Sequence, residues 1–118
     1  MADAIERDKS RGDATLVRLR DNAPGIAHSV YFADLLRLAE MKRVAAEIAD
    51  REPRIDVLIN NAGALFAKRR LTEDGLERTF ALNHMAYFVM TVGLRERLLA
   101  SGLARIIITA SATHQCAT

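Results

Sequence analysis

Residues 56–63 constrain the fold of this chain more than any other segment. Their sequence, DVLINNAG, places three large apolar residues between an acidic residue and two amides, which alanine and glycine follow. A run such as that around Leu58 fits a strand buried on both faces inside a parallel sheet. The polar and small residues Asn60, Asn61 and Gly63 then mark the carboxyl end of the strand, the edge at which open α/β sheets bind ligands.

The size and composition of the chain predict one domain. Half of its 118 residues are hydrophobic, which is enough for one core. Seventeen basic and fifteen acidic residues give a net charge of only +2, and the basic residues 68–70 are interpreted as a solvated loop, so nucleic-acid binding is not predicted. The single cysteine, Cys116, fits a reducing compartment, and the sequence predicts neither a secretory signal nor a membrane span. We therefore expect a soluble, cytoplasmic chain.

The apolar pattern predicts three helices and three strands. The helices are expected near residues 10–22, 35–51 and 75–100, and the strands near residues 27–32, 55–60 and 104–110. Residues 1–6 contain only one large apolar anchor, Ile5, so a frayed or helical start is predicted there. The order strand, helix, strand between residues 27 and 60 is that of one right-handed βαβ unit, which makes its strands parallel.

The predicted helix near residues 75–100 combines a capping signal with an apolar surface that wraps most of the way round it. Thr72 or Asp74 is expected to accept backbone N–H groups of its first turn. The apolar surface predicts burial on two sides. Asn83 lies within that surface, and a buried amide group without a partner costs about 1–3 kcal/mol. Asn83 should therefore be hydrogen-bonded, either locally or as part of a site.

Several other kinds of site are disfavoured by the residues. A hydrolytic pair of Ser111 and His114 lacks both the glycine-flanked turn at the serine and an acid beside the histidine. His28 has no second ligand at metal spacing, so no metal site is predicted. A flavodoxin-like signalling domain needs clustered acids at the strand ends, where only Asp34 is found.

Three segments together resemble the short-chain dehydrogenase/reductases, and in particular the retinol-dehydrogenase-like branch. They are the strand and turn of residues 56–63, the stretch from Thr72 to His84, and the strand that ends at Ser111. The resemblance covers about residues 7–114. It implies a partial Rossmann-type three-layer sandwich and NAD(P)-linked hydride transfer between alcohols and carbonyls.

The resemblance also implies roles for individual residues. Ser111 matches the serine that hydrogen-bonds the substrate oxygen, and Asn83 matches the asparagine that holds a proton-relay water. Asp34 matches the aspartate that meets the adenine amino group of NADP or NAD, and Arg7 lies where a 2′-phosphate of NADP would be bound. Asn61 corresponds to a residue that braces the sheet. Three residues match the element that passes beside the adenosine ribose: Asn60, Ala62 and Gly63.

Two motifs of the family are missing from these 118 residues. No glycines have the Gly-x-x-x-Gly-x-Gly spacing that admits a pyrophosphate, and neither Tyr31 nor Tyr87 is followed four residues later by lysine. Without that tyrosine, the general acid/base step has no agent, and such a step often contributes about 10² to 10⁴ in rate. We therefore expect a single incomplete NAD(P)-binding domain over residues 1–118, from a truncated or split reading frame, with weak or absent cofactor binding and without turnover.

A binding or complementing module is the alternative function. In the family's sheet, of order 3-2-1-4-5-6-7, the strand near residues 55–60 pairs with a first strand and that near residues 27–32 with a second, and both partners are expected to be absent. The strand near residues 55–60 would pair only with that near residues 104–110 and keep one open edge. The helix near residues 75–100 would then bind a full-length relative or a second copy.

Overall fold

The computed structural model describes residues 1–116, which form a mixed α/β fold as predicted. In chain order the elements are β1 (Ala2–Glu6), α1 (Lys9–Asn22), β2 (His28–Phe32), α2 (Leu38–Arg51), β3 (Val57–Asn60), α3 (Arg78–Phe80), a π-helical segment (Ala81–Met85), α4 (Ala86–Gly93), α5 (Arg95–Ser101), β4 (Arg105–Ile108) and a 3₁₀ segment (Ala112–Cys116). No helix in this part of the chain has the length and apolar character that crossing a membrane requires.

The prediction of a frayed or helical start at residues 1–6 is wrong, because Ala2–Glu6 forms strand β1. It pairs in parallel with β2, from Ala2 opposite His28 to Glu6 opposite Phe32. The prediction that β2 lacks its strand partner is therefore also wrong. One large apolar residue suffices in β1 because the neighbouring strand satisfies its backbone and Ile5 packs against the core.

The four strands form two separate sheets of two parallel strands each. β3 pairs with β4 from Val57 opposite Arg105 to Asn60 opposite Ile108, which confirms the predicted pairing. Within residues 1–116, β1 and β3 each have a single strand partner. Each of these two strands therefore keeps one edge without strand pairing.

A shared core joins the two sheets, although no strand pairing does. Ile5 of β1 and Leu58 of β3 both pack against the same cluster of buried side chains, so the sheets share one helical layer. α2 and α4 are in contact within that layer. The buried members of the cluster are Tyr31, Ala33, Val44, Ala45, Ile48, Met90, Leu94 and Leu98.

Helix α1 covers the other face of the β1–β2 sheet and completes three layers there. Tyr31 belongs to the core cluster beside α2, whereas its strand neighbours Val30 and Phe32 face α1, as the alternation of side chains along a strand requires. A Cβ atom at Gly12 of α1 would lie 2.6 Å from the ring of Phe32. Glycine at this position therefore lets α1 pack closely on the sheet.

The predicted helix over residues 75–100 starts later and is interrupted. Glu77 is its N-cap: its carboxylate accepts the backbone N–H groups of Thr79 (3.0 Å) and Phe80 (2.9 Å). These bonds lower the pKa of Glu77. α3 begins at Arg78, the π-helical segment follows it, and Leu94 separates α4 from α5.

The prediction that Thr72 or Asp74 caps this helix is wrong. The N–H of Gly75 donates to the carbonyl of Thr72 (3.0 Å), so these residues form a closed turn ahead of the helix. Gly75 has φ +78, in the left-handed region, which takes the chain out of a helical path. The chain re-enters helical geometry only after Glu77, which then provides the cap.

Candidate functional site

All the predicted site residues except Asn83, which lies in the π-helical segment, are found at or after the carboxyl ends of the strands. Asn60 is the last residue of β3, and Arg7 and Asp34 follow β1 and β2. Ser111 lies three residues beyond the end of β4. Because the strands belong to two separate sheets, these residues fall into two groups, one at each sheet.

One face of the helical segment 78–93 holds residues 60–64, which run from the end of β3 into the loop after it. Three helical residues spaced four apart hydrogen-bond three alternate residues of this segment. The pairs are Thr91 with Asn60 (3.2 Å), Tyr87 with Ala62 (2.9 Å) and Asn83 with Ala64 (2.9 and 3.0 Å). We call this set of contacts the polar ladder.

The spacing of the polar ladder follows from the repeats of the two elements. Four residues of helix advance about 6 Å along the axis, and two residues of extended chain advance about 6.6 Å. The repeats match, so the two elements stay in register while they run in opposite directions. In a regular α-helix each four-residue step also rotates by about 40°, and the step from Asn83 to Tyr87 begins within the π-helical segment Ala81–Met85.

Asn83 binds the backbone of Ala64 with both ends of its amide. Its Oδ1 accepts the N–H of Ala64 at 2.9 Å, and its Nδ2 donates to the carbonyl of Ala64 at 3.0 Å. The sequence left open whether Asn83 is bonded locally or belongs to a site, and the structure shows bonds to a neighbouring loop. Because an amide oxygen accepts two hydrogen bonds and its nitrogen donates two, each end retains capacity for one more.

Gly63 lies against this amide. A Cβ atom on Gly63 would be 3.2 Å from Oδ1 of Asn83, which is tighter than an ordinary contact. Ala62 and Gly63 are both exposed. Glycine at position 63 therefore leaves room for the amide of Asn83, while the loop remains exposed at both residues.

Tyr87 and Thr91 hold the same turn from further along the helix. The phenol of Tyr87 donates to the carbonyl of Ala62, and burial raises its pKa. The amide of Asn60 is almost completely buried, at 5% exposure, and it donates to Oγ1 of Thr91. Asn60 therefore holds the loop after β3 from inside the fold, through Thr91.

The end of β4 is tied to the same turn. Thr109 donates its backbone N–H to the carbonyl of Asn60 (2.9 Å) and its hydroxyl to Oδ1 of Asn61 (2.8 Å). Asn61 thus braces the two strands, as the family resemblance implies. Ser111 follows two residues later, is exposed, and accepts the N–H of Thr113 at its Oγ (3.2 Å). The side chain of His114 lies outside the described part of the chain, and with it the Ser111–His114 pair.

Asp34 and Arg7 lie at the β1–β2 sheet. Oδ1 of Asp34 accepts the N–H of Leu36 (3.0 Å), and Asp34 is half-buried. Arg7 is exposed, with its Nε 3.8 Å from Oδ2 of Asp8. An open cavity of about 470 Å³ is lined by Arg7, Asp8, Lys9, Asp13, Leu16, Val30 and Phe32. Among the described residues, no three His, Cys, Asp or Glu side chains form a group that could hold a metal ion.

Two residues of the site were not identified from the sequence, namely Tyr87 and Thr91. Their signal was available, because polar groups recur at positions 83, 87 and 91 of a mostly apolar helix. A four-residue spacing places them on one face, where they need polar partners. Only the structure shows that those partners are alternate residues of the turn after β3.

Known proteins match nearly the whole chain. The family model of the short chain dehydrogenases matches residues 3–117. Retinol dehydrogenase 13 of Homo sapiens is 35% identical over 108 residues, which are 92% of this chain and 33% of that protein. Retinol dehydrogenase 14 of Mus musculus is 38% identical over 82 residues, which are 70% of this chain and 25% of that protein.

Solved structures share the fold. A short-chain dehydrogenase from Sphingobium yanoikuyae in complex with NADPH superposes with a TM-score of 0.74 and is 33% identical, covering 94% of this chain and 44% of that one. The NADH-dependent reductase A1-R′ complexed with NAD gives a TM-score of 0.73 at 28% identity, covering 99% of this chain and 51% of that one. The chain thus spans a third or less of the length of the two retinol dehydrogenases and about half of these structures.

Proposed function

This chain belongs to the short-chain dehydrogenase family, and we propose that it is a single incomplete NAD(P)-binding domain of an oxidoreductase that interconverts alcohols and carbonyls. The polar ladder carries the proposal, because it fixes the loop after β3, whose residues 61–64 are exposed. A cytoplasmic location is part of the same proposal and rests on the cysteine content. When bound, the nicotinamide supplies or accepts the hydride.

The turn after β3 is proposed to face the adenosine ribose. Ala62 and Gly63 are exposed and small, so a nucleoside can approach the main chain there. Asn60 would contribute by holding these residues in place, since its side chain donates to Thr91 and its carbonyl accepts the N–H of Thr109. The helical contacts on the opposite side keep this surface rigid, which reduces the entropy lost when a ligand binds.

Asp34 and Arg7 are proposed to select the nucleotide. One carboxylate oxygen of Asp34 accepts the N–H of Leu36, and the second is suited to accept a hydrogen bond from the adenine amino group. The exposed guanidinium of Arg7 lies at the end of β1, where it would pair with the 2′-phosphate of NADP. Through Arg7 the chain would bind NADP more tightly than NAD.

Ser111 and Asn83 are proposed to act on the substrate side of the nicotinamide. The Ser111 hydroxyl would donate a hydrogen bond to the alcohol or carbonyl oxygen. Asn83 would hold a relay water with the hydrogen-bonding capacity that Ala64 leaves unused. Neither side chain is a general acid at neutral pH, so a polypeptide of these 118 residues is proposed to give no turnover by itself.

Nucleotide titration followed by NMR tests the binding proposal. We expect NADP to shift the amide signals of Ala62, Gly63 and Leu36, with a Kd of about 1 mM or weaker. Asp34→Ala should abolish the shift at Leu36. Arg7→Ala should weaken the binding of NADP but not the binding of NAD. Asp21→Asn, a change at an exposed acid of α1, is the control. Absence of shifts at nucleotide concentrations well above about 1 mM would reject nucleotide binding by this chain.

Activity is measured separately with NADPH or NADP and a panel of aldehydes and alcohols. We expect no change in nicotinamide absorbance with the pure 118-residue protein. Sustained turnover that follows the protein through purification would overturn the proposal of a scaffold without catalysis.

A complementing module is the second candidate function, and the exposed apolar face of α4 favours it. Phe88 is 59% exposed and Val92 is 55% exposed, although both belong to an apolar helix. The proposed partner is a full-length relative or a second copy of this chain. Co-purification with a full-length family member should be lost in Phe88→Lys and retained in Arg18→Glu, a change at an exposed position of α1. A monodisperse monomer that binds no such partner would argue against this function.

A further inference from the structure

Helix α2 is capped by a turn that lies far away in the sequence. Its N-cap residue, Arg37, makes no capping bond with its own side chain. Instead, the N–H of Leu38 donates to Oδ2 of Asp74 (2.9 Å), and Nε of Arg37 donates to the carboxylate of Glu73. A carboxylate at the start of a helix meets both the unpaired N–H groups and the positive end of the helix dipole.

The capping turn is closed on itself, so it presents the two carboxylates in a defined way. The carbonyl of Thr72 accepts the N–H of Gly75 (3.0 Å), and the N–H of Thr72 donates to the carbonyl of Leu76 (2.6 Å). An isolated bridge between Leu71 and Glu77 closes the base of the turn. Asp74, which does not cap the helix that follows it, is therefore held in place to cap α2.

The cap adjoins the turn that contains Asp34. Three successive amides are hydrogen-bonded there: Leu36 to Oδ1 of Asp34 (3.0 Å), Arg37 to the carbonyl of Asp34 (3.1 Å), and Leu38 to Asp74. The first two bonds define the conformation of Asp34, and the third fixes the residue at which that turn becomes helix. Loss of the Asp74 contact would release the end of the Asp34 turn.

We propose that Asp74 is a positioning residue for Asp34, with Glu73 in support. The proposal rests on the proposed function, in which Asp34 meets the adenine. The two halves of the nucleotide site belong to sheets that share no strand pairing. Asp74 ties the loop after β3 to the start of α2, so it sets how Asp34 is held relative to residues 60–64.

Amide hydrogen exchange in the full chain tests the contact without any nucleotide. Asp74→Ala should accelerate exchange at Leu38 and Leu36 by about fivefold, the ratio that corresponds to loss of a typical helix cap. Asp74→Asn keeps an acceptor oxygen and should restore slow exchange. Asp21→Asn, which removes a charge from α1, should leave both amides unchanged. Unchanged exchange at Leu36 in folded Asp74→Ala would overturn the proposal.

Glu73→Ala is the second variant, and it removes only the contact with Arg37. It should accelerate exchange at Leu36 less than Asp74→Ala does. If Asp74→Ala does not fold, the exchange rate of the Leu36 amide in Glu73→Ala tests the proposal. An unchanged rate at Leu36 in that variant would then overturn it.

Nucleotide titration separates this proposal from the proposed function. If the parent chain binds NADP, Asp74→Ala should weaken that affinity by about fivefold and Asp74→Asn should recover it. Equal affinities of the parent and Asp74→Ala would overturn the positioning role. If the parent binds no nucleotide, the proposed function fails, whereas exchange at Leu36 still decides whether Asp74 holds the Asp34 turn.

Discussion

The two parallel strand pairs of this chain have the same hydrogen-bonding pattern but different coverage. In the β1–β2 pair, Tyr31 is only 3% exposed, with α1 on one face of the sheet and the core cluster on the other. In the β3–β4 pair, every residue of β4 is exposed, and Ile108 reaches 61%. Strand β4, with three consecutive isoleucines, is thus less buried than strand β2, which contains Tyr31.

This difference shows that strand pairing and strand burial have separate causes. Apolar, β-branched residues favour extended structure, and a neighbouring strand satisfies the backbone. Burial additionally needs a helix on each face, and α1 provides the second helix only for β1–β2. The β3–β4 pair is instead fixed at its carboxyl end by polar contacts, from the ladder and from Thr109.

The largest effect is expected when one apolar residue in each sheet is replaced by alanine. Tyr31→Ala should lower the free energy of unfolding by about 3–5 kcal/mol, because it leaves a cavity in the shared core. Ile107→Ala should lower it by about 1 kcal/mol or less, since 46% of that residue is already exposed. Urea unfolding followed by circular dichroism measures both.

Phe32→Ala is the matched control within β2, because Phe32 is 43% exposed beside buried Tyr31. It should destabilise the protein less than Tyr31→Ala does. Equal losses for Tyr31→Ala and Ile107→Ala would mean that β4 is covered in solution, for example by a second copy, and the contrast between the sheets would disappear.

The second test asks whether polar contacts stabilise β3 in the way that packing stabilises β2. Thr91→Val keeps the shape of the side chain but leaves the buried amide of Asn60 without its partner, so it should cost about 1–3 kcal/mol. Val92→Thr exchanges the same two residue types at an exposed neighbouring position and should cost about 0.5 kcal/mol or less. Urea midpoints of the two variants give the comparison. A neutral Thr91→Val would show that the polar ladder does not stabilise the turn.

The local pattern of the sequence predicted most elements of the fold. β2, β3, β4, α1 and α2 lie within a few residues of their predicted positions, because each carries its own periodicity. β1 could not be predicted in this way, since its burial comes from β2 and α1. The start of α3 was also misplaced, because Gly75 diverts the chain and moves the cap from Asp74 to Glu77.

The candidate site could be predicted only in part. Asn60, Gly63 and Asn83 were brought together by resemblance, and they do lie within one hydrogen-bonded unit. The contact of Asp74 with Leu38 spans 36 residues, and the local sequence around either residue does not predict the other as its partner. Contacts of this range depend on the relative position of elements, which periodicity does not contain.

The smallest expected effect is electrostatic and concerns Glu52, which is close to Asp3 of the β1–β2 sheet. Burial, and then the neighbouring carboxylate of Asp3, raise the pKa of Glu52. A raised carboxyl pKa means that the folded state holds its proton to higher pH than the unfolded state does. This group therefore lowers the free energy of unfolding as pH rises from the ordinary glutamate pKa through the raised one.

Glu52→Gln should remove this pH-dependent loss. Relative to the parent, the variant should gain stability when the pH is raised from about 4 to about 8, as measured by urea midpoints at both values. In an Asp3→Asn background the gain should shrink, because the repulsion is gone while the burial of Glu52 remains. A gain of equal size in both backgrounds would assign the raised pKa to burial alone. No gain in either background would show that Glu52 does not destabilise the β1–β2 sheet electrostatically. Packing alone would then distinguish the β1–β2 sheet from the β3–β4 sheet.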